Sequence, residues 1–196
     1  MISFPFVQFC FCLLLFCSYS FAQNITVRWI QNWNCELDFL GKTLPCVLGV
    51  NGAGNDTKEG DGRTPFGQFK LRRAFYRADK TNSLDCFNAS KYLNCEAIQP
   101  NYGWVDEPLD PLYNQFVYLP YPASHEELYL TSSSAYDLMA VIGYNDDPIV
   151  PYAGSAIFFH VTTTYGGTAG CVAISMDDLK WVLSQVSAES WIIITQ

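Results

Sequence analysis

Two side chains in the last quarter of the chain have the types and spacing for nucleophilic chemistry. His160 ends the stretch SAIFFH and Cys171 opens the stretch CVAI, with ten residues between them that include Gly166-Gly167, a turn signal. If the flanking segments pair as antiparallel strands, thiol and imidazole face each other, because directly opposed residues stand roughly 4.5–5.5 Å apart at Cβ. A free thiol has a pKa of about 8.5, and one paired with histidine falls to roughly 3.5–7.5. Such a thiolate attacks a carbonyl carbon, and the imidazolium then protonates the departing amine. Backbone amides around Gly170 and Cys171 are placed to hold the developing oxyanion, a role typically worth about 2.7–4 kcal/mol per donor. The spacing alone is unspecific. A buried cysteine packing as a small hydrophobe is the competing reading.

The cysteine count explains why Cys171 stands out. Cys10, Cys12 and Cys17 fall in residues 1–22, a short apolar run closed by Ser20 and Ala22 that reads as a cleaved secretory signal peptide. Residues 23–196 then read as one domain, exported and held outside the cell, or in the periplasm or wall of a bacterium. Export favours disulfides, and five cysteines remain. Local pairing, Cys35–Cys46 and Cys86–Cys95, is the simplest assignment, with crossed pairing also open; Cys171 is left over. Three sequons, at Asn24, Asn55 and Asn88, are glycosylation candidates in a eukaryotic secretory route.

Composition removes other classes. Apolar residues make up 49 % and charged residues 15 %, which points to a packed core. The net charge of −8, without a basic run, speaks against nucleic acid. Past the signal peptide no segment is long and apolar enough for stable membrane insertion. Two distant histidines, with most cysteines assigned to disulfides, give no metal-ligand spacing, and no cofactor is implied. GAGNDTKEGDG lacks the Gly-Lys-Ser/Thr ending of a phosphate loop and reads as a turn that brings Thr64-Pro65 toward a cleft. Asp146-Asp147 reads as turn filling. His125 is equally a cleft residue or a surface loop histidine.

The elements that must position the pair are mostly β. Strands are expected at 25–29, 66–76, 138–143, 155–160, 170–174 and 191–195. Residues 49–67 read as turns and 79–115 as irregular. Ser175 starts one late helix, with Asp177 and Asp178 in its first turn and Leu179, Val182, Leu183 and Val186 as its apolar stripe.

KEGDGRTPFGQFKL (58–71), followed far downstream by SAIFFHV and GGTAGCVAI, resembles the YkuD-type L,D-transpeptidase domain over residues 45–196. YGWVDEP, YNQFVYLPYPASHEELY and YDLMAVIGYNDDPIVPYAGSAIFFH also look like its bacterial members. The resemblance implies a mostly β, sandwich-like fold. It implies a cysteine that takes an acyl group from a peptidoglycan stem peptide and passes the thioester to an amine or to water. Carried over, Cys171 is the nucleophile and His160 the base, oriented by a backbone carbonyl. Ala169 and Gly170 shape the oxyanion site, and Thr64, His125, Tyr144 and Thr168 are cleft candidates. Two departures stand out. Where many members have His-Gly-Cys and an arginine two residues beyond, this chain has Ala169 and Ala173, so the arginine's role must pass elsewhere or be absent. The alternative is a secreted, disulfide-bonded protein that binds peptidoglycan without chemistry.

Overall fold

The computed structural model describes residues 23–82 and 92–196. The expected signal peptide, Cys86 and Asn88 therefore lie outside the described residues. The chain opens with an antiparallel meander, β1 (Ile25–Gln31), β2 (Asn34–Phe39) and β3 (Lys42–Val47). Alternation drives it: Ile25, Val27, Leu37 and Phe39 all point into one core. The β2–β3 register sets Cys35 directly opposite Cys46, and the two form a disulfide. Cys95 is also disulfide-bonded.

The turn-rich segment from Gly49 to Gly67 carries a two-residue parallel bridge between β4 (Ala53–Gly54) and β5 (Thr64–Pro65). Its two ends pass backbone against backbone. A Cβ on Gly49 would lie 2.3 Å from the Gly62 carbonyl oxygen, so only glycine fits there.

The strand expected over 66–76 is two strands. β6 (Gly67–Phe69) and β7 (Leu71–Tyr76) are separated by Lys70 alone, yet β6 is one edge of a ten-stranded sheet and β7 lies next to the other edge. With β8 (Asn94–Ala97), β12 (Leu138–Ile142), β13 (Phe158–Val161), β14 (Val172–Ile174) and β15 (Ile192–Thr195), the order is β6-β15-β1-β2-β3-β14-β13-β12-β7-β8. One residue cannot bridge seven strands of a flat sheet at roughly 4.8 Å each. The sheet therefore curls until its ends meet at the Lys70 corner, where the Lys70 carbonyl accepts from Gly143 N at 2.8 Å.

The described residues within 79–115 are also more regular than their sequence suggests. They hold β8 and β9 (Tyr102–Val105), and β9 is the centre of a small sheet with β10 (Phe116–Tyr118) and β11 (His125–Glu127). All four β9 residues are buried, so no period-two alternation marks the strand.

The curled sheet has a core on each face. Inside, Phe159, Val161, Val172 and Ile174 meet the helix α1 (Met176–Gln185) through Leu179, Val182 and Leu183. Ser175 caps the helix: its hydroxyl accepts from Asp178 N at 3.2 Å and donates to the Asp178 carboxylate at 2.6 Å. Outside, Phe75, Met139, Val141, Phe158 and Cys171 pack with Tyr102 and Trp104 of the small sheet and with Leu128 and Tyr136. Among the described residues no helix is long and apolar enough to cross a membrane.

Candidate active site

β13 and β14 pair in parallel, not antiparallel, with Phe159 opposite Val172 and His160 opposite Ala173. The segment joining them is a tight crossover and not a hairpin. It is stitched to the neighbouring turn, since Thr168 N donates to Leu48 O, Val50 N donates to Thr168 O, and the Trp33 indole donates to Tyr165 O. Antiparallel strands need only a short turn, whereas parallel ones usually need a dozen or more connecting residues. Gly166-Gly167 therefore pointed to the wrong pairing.

The parallel register still serves the chemistry. Side chains at 159, 161, 172 and 174 point into the inner core, so Phe158, His160, Cys171 and Ala173 share the outer face. Cys171 and His160 are diagonal neighbours on adjacent strands, a placement roughly 7–8 Å apart and somewhat less at Cβ, which aromatic side chains can span.

Cys171 is the free cysteine among the described residues and is only 6 % exposed. Its sulfur accepts from Phe158 N and donates to Ala156 O, both at 3.3 Å. Ala156 holds a left-handed backbone, φ +53°, rare for a residue with a Cβ. Its amide is fixed by the Asn114 side-chain oxygen at 3.0 Å. Gly170, at φ +144°, presents the cysteine, and a Cβ there would meet the Arg63 carbonyl at 3.0 Å. Thr168 locks the turn, since its hydroxyl donates to Cys171 O at 2.7 Å and accepts from Gly170 N at 3.1 Å. The Gly170 amide is thereby engaged.

His160 is buried, with Nδ1 2.9 Å from Val161 O. A carbonyl only accepts, so Nδ1 carries the proton and Nε2 keeps its lone pair, the state required of a base. Tyr136 packs edge-on to the imidazole at 5.5 Å and donates its hydroxyl to Glu126 at 3.0 Å. Burial pushes the Cys171 thiol up to about 12, opposed by the Phe158 amide and reinforced by the Glu126 carboxylate. Burial pushes His160 down to about 4, against the Val161 carbonyl. Burial also raises Glu126, with Asp106 and Glu127 adding to the effect, while the Tyr136 hydroxyl opposes it. The resting pair is thus a neutral thiol beside a neutral imidazole. This corrects the expectation of a thiolate held ionised by its partner: desolvation outweighs any attraction within the pair.

The other expected positions fall in different places. Thr64 is fully buried and accepts from Gly49 N at 2.8 Å, so it fastens the turn. Tyr144 binds Thr57 at 2.7 Å and the Ala153 carbonyl, and with Ala169 it lines a small cleft beside the cysteine. His125 lies in β11, its Nδ1 2.7 Å from Ala123 O, and lines a separate surface cleft with Leu119, Pro120 and Tyr121. Asn24 and Asn55 are exposed. Among the described residues no cluster of His, Cys, Asp and Glu is placed to hold a metal ion. Tyr136, Glu126 and the Ala156 carbonyl carry no spacing signal of their own; only the topology gathers them around the sulfur.

The model of the YkuD L,D-transpeptidase catalytic domain matches residues 26–194, nearly the whole described chain. The chain belongs to the L,D-transpeptidase catalytic domain family. Solved structures of L,D-transpeptidases are also similar to it. L,D-transpeptidase 1 of Mycobacterium tuberculosis is 12 % identical at a TM-score of 0.39, over 89 % of this chain and 62 % of that one. An L,D-transpeptidase of Mycobacterium smegmatis is 12 % identical at 0.42, over 89 % and 59 %. L,D-transpeptidase 3 of M. tuberculosis, in complex with a faropenem-derived adduct, is 11 % identical at 0.40, over 89 % and 61 %. The chain spans about three fifths of the length of these structures. No curated protein matches it. For this L,D-transpeptidase domain, the one free thiol of the described residues and a base-competent histidine on a shared sheet face make acyl transfer through sulfur chemically available.

Proposed function

We propose that this L,D-transpeptidase domain is an exported cysteine acyltransferase acting on peptidoglycan stem peptides. The observation that carries the reading is the pairing on one face: Cys171 is free, and His160 is held by Val161 O with Nε2 unprotonated. Because both groups rest neutral, the thiol proton passes to His160 Nε2 as the sulfur attacks the scissile carbonyl carbon. The Cys171 amide steadies the oxyanion. The carbon–nitrogen bond then breaks, the imidazolium proton goes to the leaving amine, and a thioester remains. An incoming amine or water attacks the thioester and gives a proton to His160, which returns it to the sulfur. Attack requires the outer face to open, since the small sheet and Tyr136 cover the sulfur. The Cys35–Cys46 bridge supports a site outside the cytoplasm, and a cleaved leader of residues 1–22 with glycans at Asn24, Asn55 and Asn88 completes the proposal.

The test is incubation with tetrapeptide muropeptides followed by mass spectrometry. D-alanine release or new cross-links that vanish in Cys171→Ala are expected. Burial of the sulfur favours a second reading, binding without chemistry; under it, both proteins bind peptidoglycan equally and neither releases D-alanine.

A further inference from the structure

A base must keep its ring in one of two positions, and hydrogen bonding alone does not do that for His160. Among the described residues its imidazole makes one hydrogen bond, from Nδ1 to Val161 O at 2.9 Å. The terminal torsion of a histidine is broad and roughly two-fold. A half-turn of the ring would break that bond and put Cε1 where Nε2 stands. Packing has to choose between the two positions, and one aromatic ring lies against the imidazole. Tyr136 meets His160 with ring centroids 5.5 Å apart at 81°, and Phe158 at 5.7 Å and 89°. Those two residues alternate along the outer face of β13, so a single ring rests on both.

Tyr136 is itself fixed more firmly than a covering residue needs. Its hydroxyl donates to the Glu126 carboxylate at 3.0 Å, and Glu126 stands opposite Trp104 in the β11–β9 register. Burial first, and then the charges of Cys171 and Glu126, push the titration of that hydroxyl up, so it remains a donor. The residues on either side are anchored too. Ala135 O accepts from Val161 N at 3.0 Å, and Val161 is the residue whose carbonyl holds Nδ1. The carbonyl of buried Asp137 accepts from Arg77 N at 2.9 Å and from Thr81 Oγ1 at 3.1 Å, and its carboxylate pairs with Lys80 at 3.0 Å. Arg77, also buried, donates to Leu130 O and lies 3.7 Å from the centre of the Tyr129 ring. An arginine and a lysine thus fasten residues 129–137 to the turn after β7, and acyl transfer as described above uses neither.

We propose that Tyr136, anchored by Glu126, is a positioning residue that holds the His160 ring with Nε2 turned to Cys171, an inference that rests on the acyl-transfer reading above. The Val161 carbonyl selects the nitrogen that carries the proton. The tyrosine ring fixes the plane of the imidazole, and the Glu126 carboxylate fixes the tyrosine.

The experiment reads the ring itself as well as turnover. In the nitrogen NMR spectrum of the imidazoles, His125→Gln identifies the signals of the other histidine. His160 should be a single tautomer, protonated at Nδ1, in the unsubstituted chain and a mixture of both tautomers in Tyr136→Leu. Tyr136→Leu should also lower kcat for D-alanine release by about 10²-fold, with KM moved by less than about twofold. Tyr136→Phe and Glu126→Ala each remove the anchoring hydrogen bond and should each lower kcat by about tenfold. Combined, the two losses should not add, since both delete the same bond. Glu126→Gln, which keeps an acceptor, should recover most of what Glu126→Ala loses. An unchanged kcat or a single tautomer in folded Tyr136→Leu overturns the proposal. Faster iodoacetamide labelling beside an unchanged tautomer overturns it as well, because Tyr136 is then only a cover over the sulfur. Should Tyr136→Leu not fold, the two milder variants decide, and additive losses overturn the proposal. Should the unsubstituted chain release no D-alanine, the transfer reading falls by itself, and the tautomers in Tyr136→Leu decide the positioning: a mixture keeps it and a single form removes it.

Discussion

β13 and β14 show the same packing turned to two ends. Their inner residues, Phe159, Val161, Val172 and Ile174, are apolar and meet α1. Their outer residues, Phe158, His160 and Cys171, are just as buried but include two titratable groups beneath Tyr136 and the small sheet. On the inner face exclusion of water stabilises the fold. On the outer face the same exclusion sets protonation: it holds the proton on sulfur and off the imidazole. Desolvation is a property of place, and one strand pair can direct it to either end.

Substitutions on the two faces should therefore separate cleanly. The largest effect is expected from Cys171→Ala, which should lower D-alanine release by roughly 10³-fold or more while the melting temperature moves little. On the inner face, Leu179→Ala should cost about 3 kcal/mol in denaturant unfolding and leave the rate per folded molecule unchanged. A Leu179→Ala protein that is stable but inactive would break the separation.

pH sharpens the contrast. His160 is depressed from about 6.5 to about 4, so between those values the unfolded chain binds more protons than the folded one. Stability should fall as pH drops through that window, by at most about 1.4 kcal/mol per pH unit. His160→Gln should flatten the dependence in equilibrium unfolding measured from pH 4 to 7. Cys171 is raised to about 12, so its contribution should be lost as pH climbs above about 9. The smallest effect concerns charge near the sulfur. Glu126 helps keep the thiol protonated, and Glu126→Gln should speed iodoacetamide labelling at pH 8 by about threefold. Slower labelling would show that the carboxylate acts through Tyr136 instead.

The residue types told most where their reasons are local. Ser175 caps α1 because a hydroxyl accepting from the third amide needs nothing beyond its own turn. Cys35 and Cys46 pair because a short antiparallel ladder joins them. Cys171 and His160 were legible as a pair, but their strand direction was not: the crossover is held by Leu48 and Val50, more than a hundred residues upstream. Lys70 looks like any strand residue, and nothing nearby says that the chain turns a corner there. β9 is buried on both faces and so loses the alternation that would have announced it. Tyr136 and Glu126 reach the sulfur only through tertiary packing.

The Lys70 corner has a consequence for how the molecule is made. β6 finds its partner only in β15, the last of these strands to leave the ribosome, and β1 pairs along its other edge with the same strand. Until β15 arrives, both edges stand open and the ring of strands cannot close. Closure of the sheet thus waits on its last strand, a pairing between segments far apart in the chain that makes this step intrinsically slow.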